Sequence, residues 1–429
     1  MPVDYGFFAN ATSLNTQAQK IFSELGLLMN EKKSFTIAAT MLNDSAIGDV
    51  NQHYDILHVP NMGGYKFPLD SVLKSQQLVI SMVGIDEVIL GREVFRSESM
   101  WKRNKPIIEN ELKKWKNKVD DIKLIHVNTE SEKEEMNQYL KIPKEKMVVI
   151  PLGVDHDIFS PSKNKIETRK MILKKHKISD GPYFVHVSER NWARKNLFRL
   201  LESFKKSKQQ GIVQKLIILG KNDPMVYEKT KDMSDVHVLG FVASEDLVKF
   251  MQGSDALLLP SLHEGWGMPL VESMACGVPV ITSKKFSMPD VVGGAGLFVD
   301  PYDVKDIESK ILELSKSESL RENLGKKGIQ KAKEYTWRKT AEAIFEQYSK
   351  LTDVKNIDFE HDYEIAAKRT IVTMCRISHD YDELKQDMLE FNYEKLSHHV
   401  LDTKSNNSVL PDLLLPFRHW IEQNLVDLK

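Results

Sequence analysis

The chain has 429 residues, which suits two domains and an appendage. Hydrophobic residues make up 41% and charged residues 28%, so each domain has enough apolar material for a core. A formal net charge of −1 argues against a global pull toward nucleic acid, and no nucleic-acid partner is expected.

No apolar run reaches about 18 residues, so no spanning helix is expected. Cys276 and Cys375 are far apart and lack metal-ligand spacing, and no His-Glu-x-x-His or similar metal pattern occurs. The start, Met1-Pro-Val-Asp-Tyr-Gly-Phe-Phe8, lacks a basic n-region and does not read as a signal peptide. A reducing, cytoplasmic setting is the expectation.

In chain order, Val3–Ala9 reads as a strand and Thr16–Met29 as a helix. Phe35–Thr40, Ile56–Val59, Leu78–Met82, Leu124–Val127 and Val148–Pro151 read as further strands. Short apolar runs alternating with helical patterns predict a parallel sheet covered on both faces. Between them, Arg96 to Lys118 holds eight basic and three acidic residues and two tryptophans. That segment suits a peripheral contact with an anionic membrane surface at the inner face. A nucleic-acid contact is the other option for a ligand, and a solvated helical face is the reading favoured over either.

Residues 160–170 are polar and read as a linker. A second alternating block follows. Its strands are expected at Tyr183–Ser188, Lys215–Leu219, His237–Leu239, Ala256–Pro260, Val278–Thr282 and Gly296–Val299. Its helices are expected at Leu197–Ser207 and near 244–252, 269–276, 303–316 and 319–334. Residues 357–429 break this rhythm, with Ile365, Val372, Tyr381, Leu384, Met388 and Phe391 at near-helical spacing. The expected architecture is α/β, with two doubly wound Rossmann-like lobes and a C-terminal helical extension. Ligand is expected in the crevice at the carboxyl ends of the strands.

Two segments carry chemistry. Glu264-Gly-Trp-Gly-Met-Pro-Leu-Val-Glu272 follows the run Ala256–Pro260 and leads into Ser273-Met-Ala-Cys-Gly-Val-Pro-Val280. It places two carboxylates eight positions apart around a helix start marked by Pro269, where backbone N–H groups face outward. Ser188-Glu-Arg-Asn-Trp-Ala-Arg-Lys-Asn196 follows the strand Tyr183–Ser188 and brings a fork donor and a point charge to a strand end.

These segments resemble the E-x7-E and R-x4-K-N signatures of retaining GT-B glycosyltransferases of family 4 (glycosyl transferases group 1). His126–Ser131 and Val149-Ile-Pro-Leu-Gly-Val-Asp155 look like the segments that close the first lobe in that family. The resemblance is strong over about 120–350 and weak before it. It implies GT-B architecture, with an acceptor-side lobe over 1–160, a nucleotide-sugar lobe over 161–350, and an extension over 351–429 that crosses back to the first lobe. It implies a nucleotide diphosphate sugar as donor substrate, no cofactor, and an acceptor that is a glycan, a lipid-linked sugar or a small molecule.

By matching position, Arg190 and Lys195 are the diphosphate clamp and Glu264 binds donor-sugar hydroxyls. Glu272 holds the ribose, and the turn Gly267, Met268, Pro269, Leu270 offers backbone N–H groups, Pro269 excepted. Trp266 either stacks on the sugar or packs. Phe241 and Val242 are assigned to the base edge, and Leu247 to the base face. The two fixed cations stand where a metal would otherwise supply positive charge, so metal independence is expected.

The first lobe departs from the family pattern. Where relatives carry a Gly-Gly pair, this chain has Asn10-Ala-Thr-Ser-Leu-Asn15, with Ser13 and Asn15 as acceptor-side candidates. Where relatives often carry a His after the strand Leu78–Met82, it has Gly84-Ile-Asp-Glu87, with Asp86 as the candidate. These departures keep alternatives open: a non-catalytic nucleotide-sugar-binding scaffold, or an epimerase or phosphorylase on the same fold.

Overall fold

The computed structural model describes residues 20–21, 24–25, 28, 56–67, 78–95, 97–188, 192–220 and 223–351. The expected strands Val3–Ala9 and Phe35–Thr40, Ser13, Asn15, Arg190 and the segment 357–429 lie outside them.

Two parallel sheets organise the chain. The first has strands β1 (Leu57–Gly63), β2 (Leu78–Val83), β3 (Leu124–Val127) and β4 (Met147–Val149), in that spatial order. The second has β5 (Tyr183–Ser188), β6 (Lys215–Gly220), β7 (Val236–Val238), β8 (Ala256–Leu259), β9 (Val280–Ser283) and β10 (Gly296–Val299), in the order β10-β9-β8-β5-β6-β7. Every neighbouring pair is parallel. The expected strands from Ile56 onward are therefore present, each within a few residues of its expected bounds. They are near-continuous apolar runs because both faces of a parallel sheet are covered.

Helix formation follows apolar spacing. Over Leu197–Gln209, the residues Leu197, Leu200, Leu201 and Phe204 repeat on one face and are buried. The polar stretch read as a linker gives way at Lys165 to the helix Lys165–Lys175. Asn164 caps that helix by accepting from the Glu167 N–H, and only Ile172 and Leu173 are buried. Polar residues dominate its sequence because most of it faces water. The basic segment is helical over Glu98–Lys118 and buries Ile108, Glu111 and Trp115. Among the described residues no helix is long and apolar enough to cross a membrane.

One apolar cluster runs from the second sheet into the first lobe. It joins Val185, Leu257 and Met274 to Ile21, Leu25, Val79 and Leu152, and to Ala341, Ile344 and Tyr348 of the helix Trp337–Leu351. That helix thus packs against first-lobe residues. The chain leaving β4 meets its start: the Val154 N–H bonds Tyr335 O at 3.3 Å, and Thr340 Oγ1 donates to Pro151 O at 2.7 Å. Gly153 is obligatory at this crossing, since a Cβ there would lie 2.1 Å from the Trp337 nitrogen.

A buried polar chain fastens the same helix to the first sheet. His126 Nε2 lies 2.6 Å from Ile150 O, which can only accept, so Nε2 carries the proton. Nδ1 of His126 then accepts from Ser81 Oγ at 2.8 Å. Ser81 Oγ accepts in turn from His58 Nε2 at 2.9 Å, and His58 Nδ1 accepts from the Tyr348 hydroxyl. Burial, with the neighbouring His126, pushes His58 down to about 3, and burial pushes His126 down to about 4, so both imidazoles are neutral.

Candidate active site

The second sheet changes direction between β5 and β8. The chain winds outward from β5 through β6 and β7, then returns to the other side of β5 as β8. The crevice of such a sheet opens at this reversal, beyond the carboxyl ends of the two strands. The segment after β5 carries Arg194 and Lys195, and the segment after β8 carries Glu264. The topology brings them together.

Asn196 fixes the first segment. Its backbone is left-handed (φ 58°), a conformation asparagine tolerates. Its side-chain amide donates to Pro260 O at 3.0 Å and Pro301 O at 2.5 Å, tying the β5 exit to the β8 exit. Lys195 Nζ then reaches Glu264 Oε1 at 2.7 Å, and Arg194 Nη1 reaches Glu264 Oε2 at 2.7 Å. Ser261 Oγ adds a bond to Oε1 at 2.6 Å. Burial alone would raise the Glu264 pKa. The Arg194 and Lys195 charges outweigh it and hold the carboxyl well below the usual range. Arg194 also faces the first lobe, with Nε 3.4 Å from Asp86 Oδ2. The expected residues Lys195, Glu264 and Asp86 are thus gathered in one place, and Arg194, which motif matching leaves aside, bridges Glu264 and Asp86.

The turn after Glu264 follows from its glycines. Gly267 has φ 84° and starts the helix Met268–Ala275, with Pro269 in its first turn. The Leu270 N–H is committed to Gly267 O at 2.8 Å, so it is not offered to a ligand; the Gly267 and Met268 N–H groups have no acceptor among the described residues. Glu272 lies in the second turn of this helix and is half-buried. Trp266 packs rather than lining the cleft: it is buried, with its ring edge-on to Tyr335 at 5.0 Å.

The base-pocket candidates follow the exits of β6 and β7. Gly220 N donates to Gly240 O at 2.8 Å, joining the exits of β6 and β7. Beyond Gly240, Phe241 is 61% exposed, while Val242 and Leu247 are half-buried against the core.

Several cleft residues have no motif to announce them. Glu87 follows Asp86, and burial with the Asp86 charge pushes its carboxyl up to about 7. A Cβ on Gly64 would lie 3.4 Å from its Oε2, so the exits of β1 and β2 meet there. His263 Nε2 lies 2.8 Å from Glu135 Oε2 across the lobes, both groups buried. Burial opposes the imidazolium, but the bond to Glu135 and the charges of Glu135 and Asp86 prevail and raise the His263 pKa. His263 is adjacent to Glu264 in sequence, which is the one signal that points to it.

Residues 168–331 match the family model described as Glycosyl transferases group 1. Across 345 residues the chain is 25% identical to the MMP alpha-(1->4)-mannosyltransferase of Mycolicibacterium hassiacum, covering 75% of each chain. It is 28% identical over 240 residues to the O-antigen chain mannosyltransferase B of Escherichia coli, covering 54% of this chain and 62% of that one. The match therefore spans less than two thirds of the Escherichia coli relative's length. In structure it superposes on a glycosyltransferase from Rickettsia africae with a TM-score of 0.58 at 15% identity, covering 82% of this chain and 97% of that one. Likeness at that identity speaks to the fold alone.

The fold is GT-B.

In GT-B terms, the sheet β1–β4 belongs to the first lobe and β5–β10 to the second. The ion cluster about Glu264 lies within the matched segment, on the second lobe, facing Asp86 on the first.

Proposed function

We propose that the chain is a retaining glycosyltransferase that moves a hexose from a nucleotide diphosphate sugar to an acceptor hydroxyl. The observation that carries this reading is the buried cluster of Lys195, Arg194 and Glu264 at the reversal point of the second sheet, opposite Asp86. It is an anion-binding and hydroxyl-binding pair in one crevice, inside the segment that matches the family. Mannose is the first sugar to test, since two relatives are named as mannosyltransferases.

In this reaction the bond between the anomeric carbon and the phosphate oxygen breaks, and the acceptor oxygen bonds the same carbon on the same face. The acceptor proton passes to the departing phosphate. Negative charge grows on that phosphate, so fixed cations stabilise the transition state more than the ground state. Arg190 and Lys195 take this role. Glu264 orients the sugar: a carboxylate offers about four acceptor positions, and Lys195, Ser261 and Arg194 occupy three. The remaining one, on Oε2, accepts a sugar hydroxyl. Gly267 and Met268 N–H groups bind sugar or phosphate oxygens, and Glu272 accepts from the ribose. Phe241 and Val242 border the base, and Asp86 faces the acceptor. No resident metal or cofactor is assigned. The basic helix Glu98–Lys118 is assigned to an anionic membrane surface, which suits a lipid-linked acceptor.

The test is release of nucleoside diphosphate from a panel of UDP-, GDP- and ADP-sugars, mannose donors first, with mixed acceptors. Product linkage read by NMR decides retention. Binding of nucleoside diphosphate without release from any donor would favour the non-catalytic scaffold instead.

A further inference from the structure

The helix Glu130–Glu135 belongs to the first lobe, yet it meets the second lobe twice. Its own cap is Thr129, whose hydroxyl accepts from the Glu132 N–H at 3.0 Å. The neighbouring Ser131 N–H bonds a carboxylate of the other lobe, Asp290 Oδ2, at 3.0 Å. An acid at a helix start is favourable, and here the other lobe supplies one. At the far end Glu135 holds His263. Between the two, Glu132 faces its own lobe. Its Oε1 accepts from the Gly84 N–H at 2.6 Å, and its Oε2 from the Asn128 N–H at 2.6 Å and the Asn128 amide at 3.0 Å.

The second lobe is shaped to this helix. Gly265 has no room for a side chain: a Cβ would lie 2.7 Å from the Gly84 nitrogen and 3.0 Å from Glu132 Oε1. Phe286 has φ 57° and ψ −143°, a conformation that disfavours any residue but glycine. Its ring meets the His263 imidazole edge-on at 4.7 Å. Directly after Phe286, the Ser287 hydroxyl donates to the Glu264 carbonyl. The His263 carbonyl accepts from Arg194 Nη1 at 2.9 Å. The residue that reaches across the lobes is therefore anchored, through its own backbone and its neighbour, to the cluster about Glu264.

We infer that the helix Glu130–Glu135 is an interlobe clasp, and that His263 and Glu135 are positioning residues that set the Glu264 turn against the first lobe. Closing the lobes forms the His263–Glu135 and Ser131–Asp290 bonds and seats Gly265 on Gly84. Opening them breaks both bonds and frees the turn that carries Glu264. The effect on turnover rests on the transferase reading; the clasp itself does not.

Two measurements on the full chain separate these claims. The first is the distance between spin labels at Ile107→Cys on the first lobe and Val213→Cys on the second, with Cys276→Ala and Cys375→Ser. Both labelled sites are exposed, at 49% and 68%. The parent should give one narrow distribution. Glu135→Ala, Gly265→Ala and the surface change Asp290→Ala should each lengthen or broaden it. His263→Ala should do the same, and His263→Gln, which keeps an N–H donor for Glu135, should restore it. Distributions unchanged in Asp290→Ala and in whichever of the other variants fold would overturn the clasp. His263→Gln as open as His263→Ala would overturn its hydrogen-bond basis.

The second measurement is steady-state kinetics with the donor found active. His263→Ala should lower kcat by about 100-fold, the scale of an ångström-sized misplacement. Calorimetric affinity for UDP or GDP should stay within about twofold, since no part of the diphosphate clamp is removed. An unchanged kcat would overturn the positioning role. If the parent turns over no donor, the transferase reading fails, while the distance measurement still decides the clasp.

Discussion

Tyr348 and His58 are joined by a hydrogen bond that runs from the last described helix to the first strand of the four-stranded sheet. Because His126 must donate to Ile150 O, each donor along the chain Tyr348, His58, Ser81, His126 is fixed in direction. The Tyr348 hydroxyl is the donor at the head of this chain.

Tyr348→Phe removes that donor and little volume. The buried His58 Nδ1 loses that bond, so unfolding free energy should fall by about 1 kcal/mol. Urea unfolding of the full chain checks this, and a midpoint unmoved by the substitution would show that the bond is not made.

The same two histidines set an acid limit. Their folded pKa values lie near 3 and 4, below the ordinary histidine value of 6.5, so between those limits the unfolded chain binds more protons than the folded one. Stability is complete above about pH 6.5 and declines as pH falls toward 4, by a few kcal/mol in all. Denaturant titrations at neutral and mildly acid pH measure the slope. A flat profile would contradict the neutral pair.

Lys195→Ala should reduce turnover by about 100-fold or more, the scale of losing a charge contact made in the transition state. Glu264 keeps Arg194 and Ser261 in that variant, so a cooperative melt should persist. Unchanged kinetics with the active donor would remove Lys195 from the clamp.

Glu272→Ala should weaken UDP or GDP binding by about tenfold, the loss of one or two bonds to ribose hydroxyls. Isothermal calorimetry reads this directly, and equal affinity would count against the ribose role.

If Arg190 and Lys195 carry the phosphate charge as proposed, chelation by EDTA should leave the rate unchanged. A loss of activity restored by magnesium or manganese would contradict this.

The strands of the second lobe were legible because β5, β6 and β8 are apolar runs bounded by turn residues. The helix at Lys165 was not legible, since only two of its side chains reach the core and its cap, Asn164, also suits a turn. At the site, Lys195 and Glu264 were singled out by the resemblance of their segments to the family signatures, and the structure places them in contact. Arg194 was not, because what distinguishes it is Asp86, which approaches from the other lobe. The His263–Glu135 pair was beyond reach for the same reason: its members are 128 positions apart and share no motif. Trp266 shows the converse, an aromatic beside a signature that belongs to the core.

Gly153 places two stretches of main chain in direct touch, with Trp337 nitrogen where a methyl group would sit. This crossing is therefore built from peptide groups, whose shape no amino-acid exchange alters except at the glycine itself. Side chains around the cleft can be exchanged one by one, while this main-chain crossing tolerates no bulk at position 153.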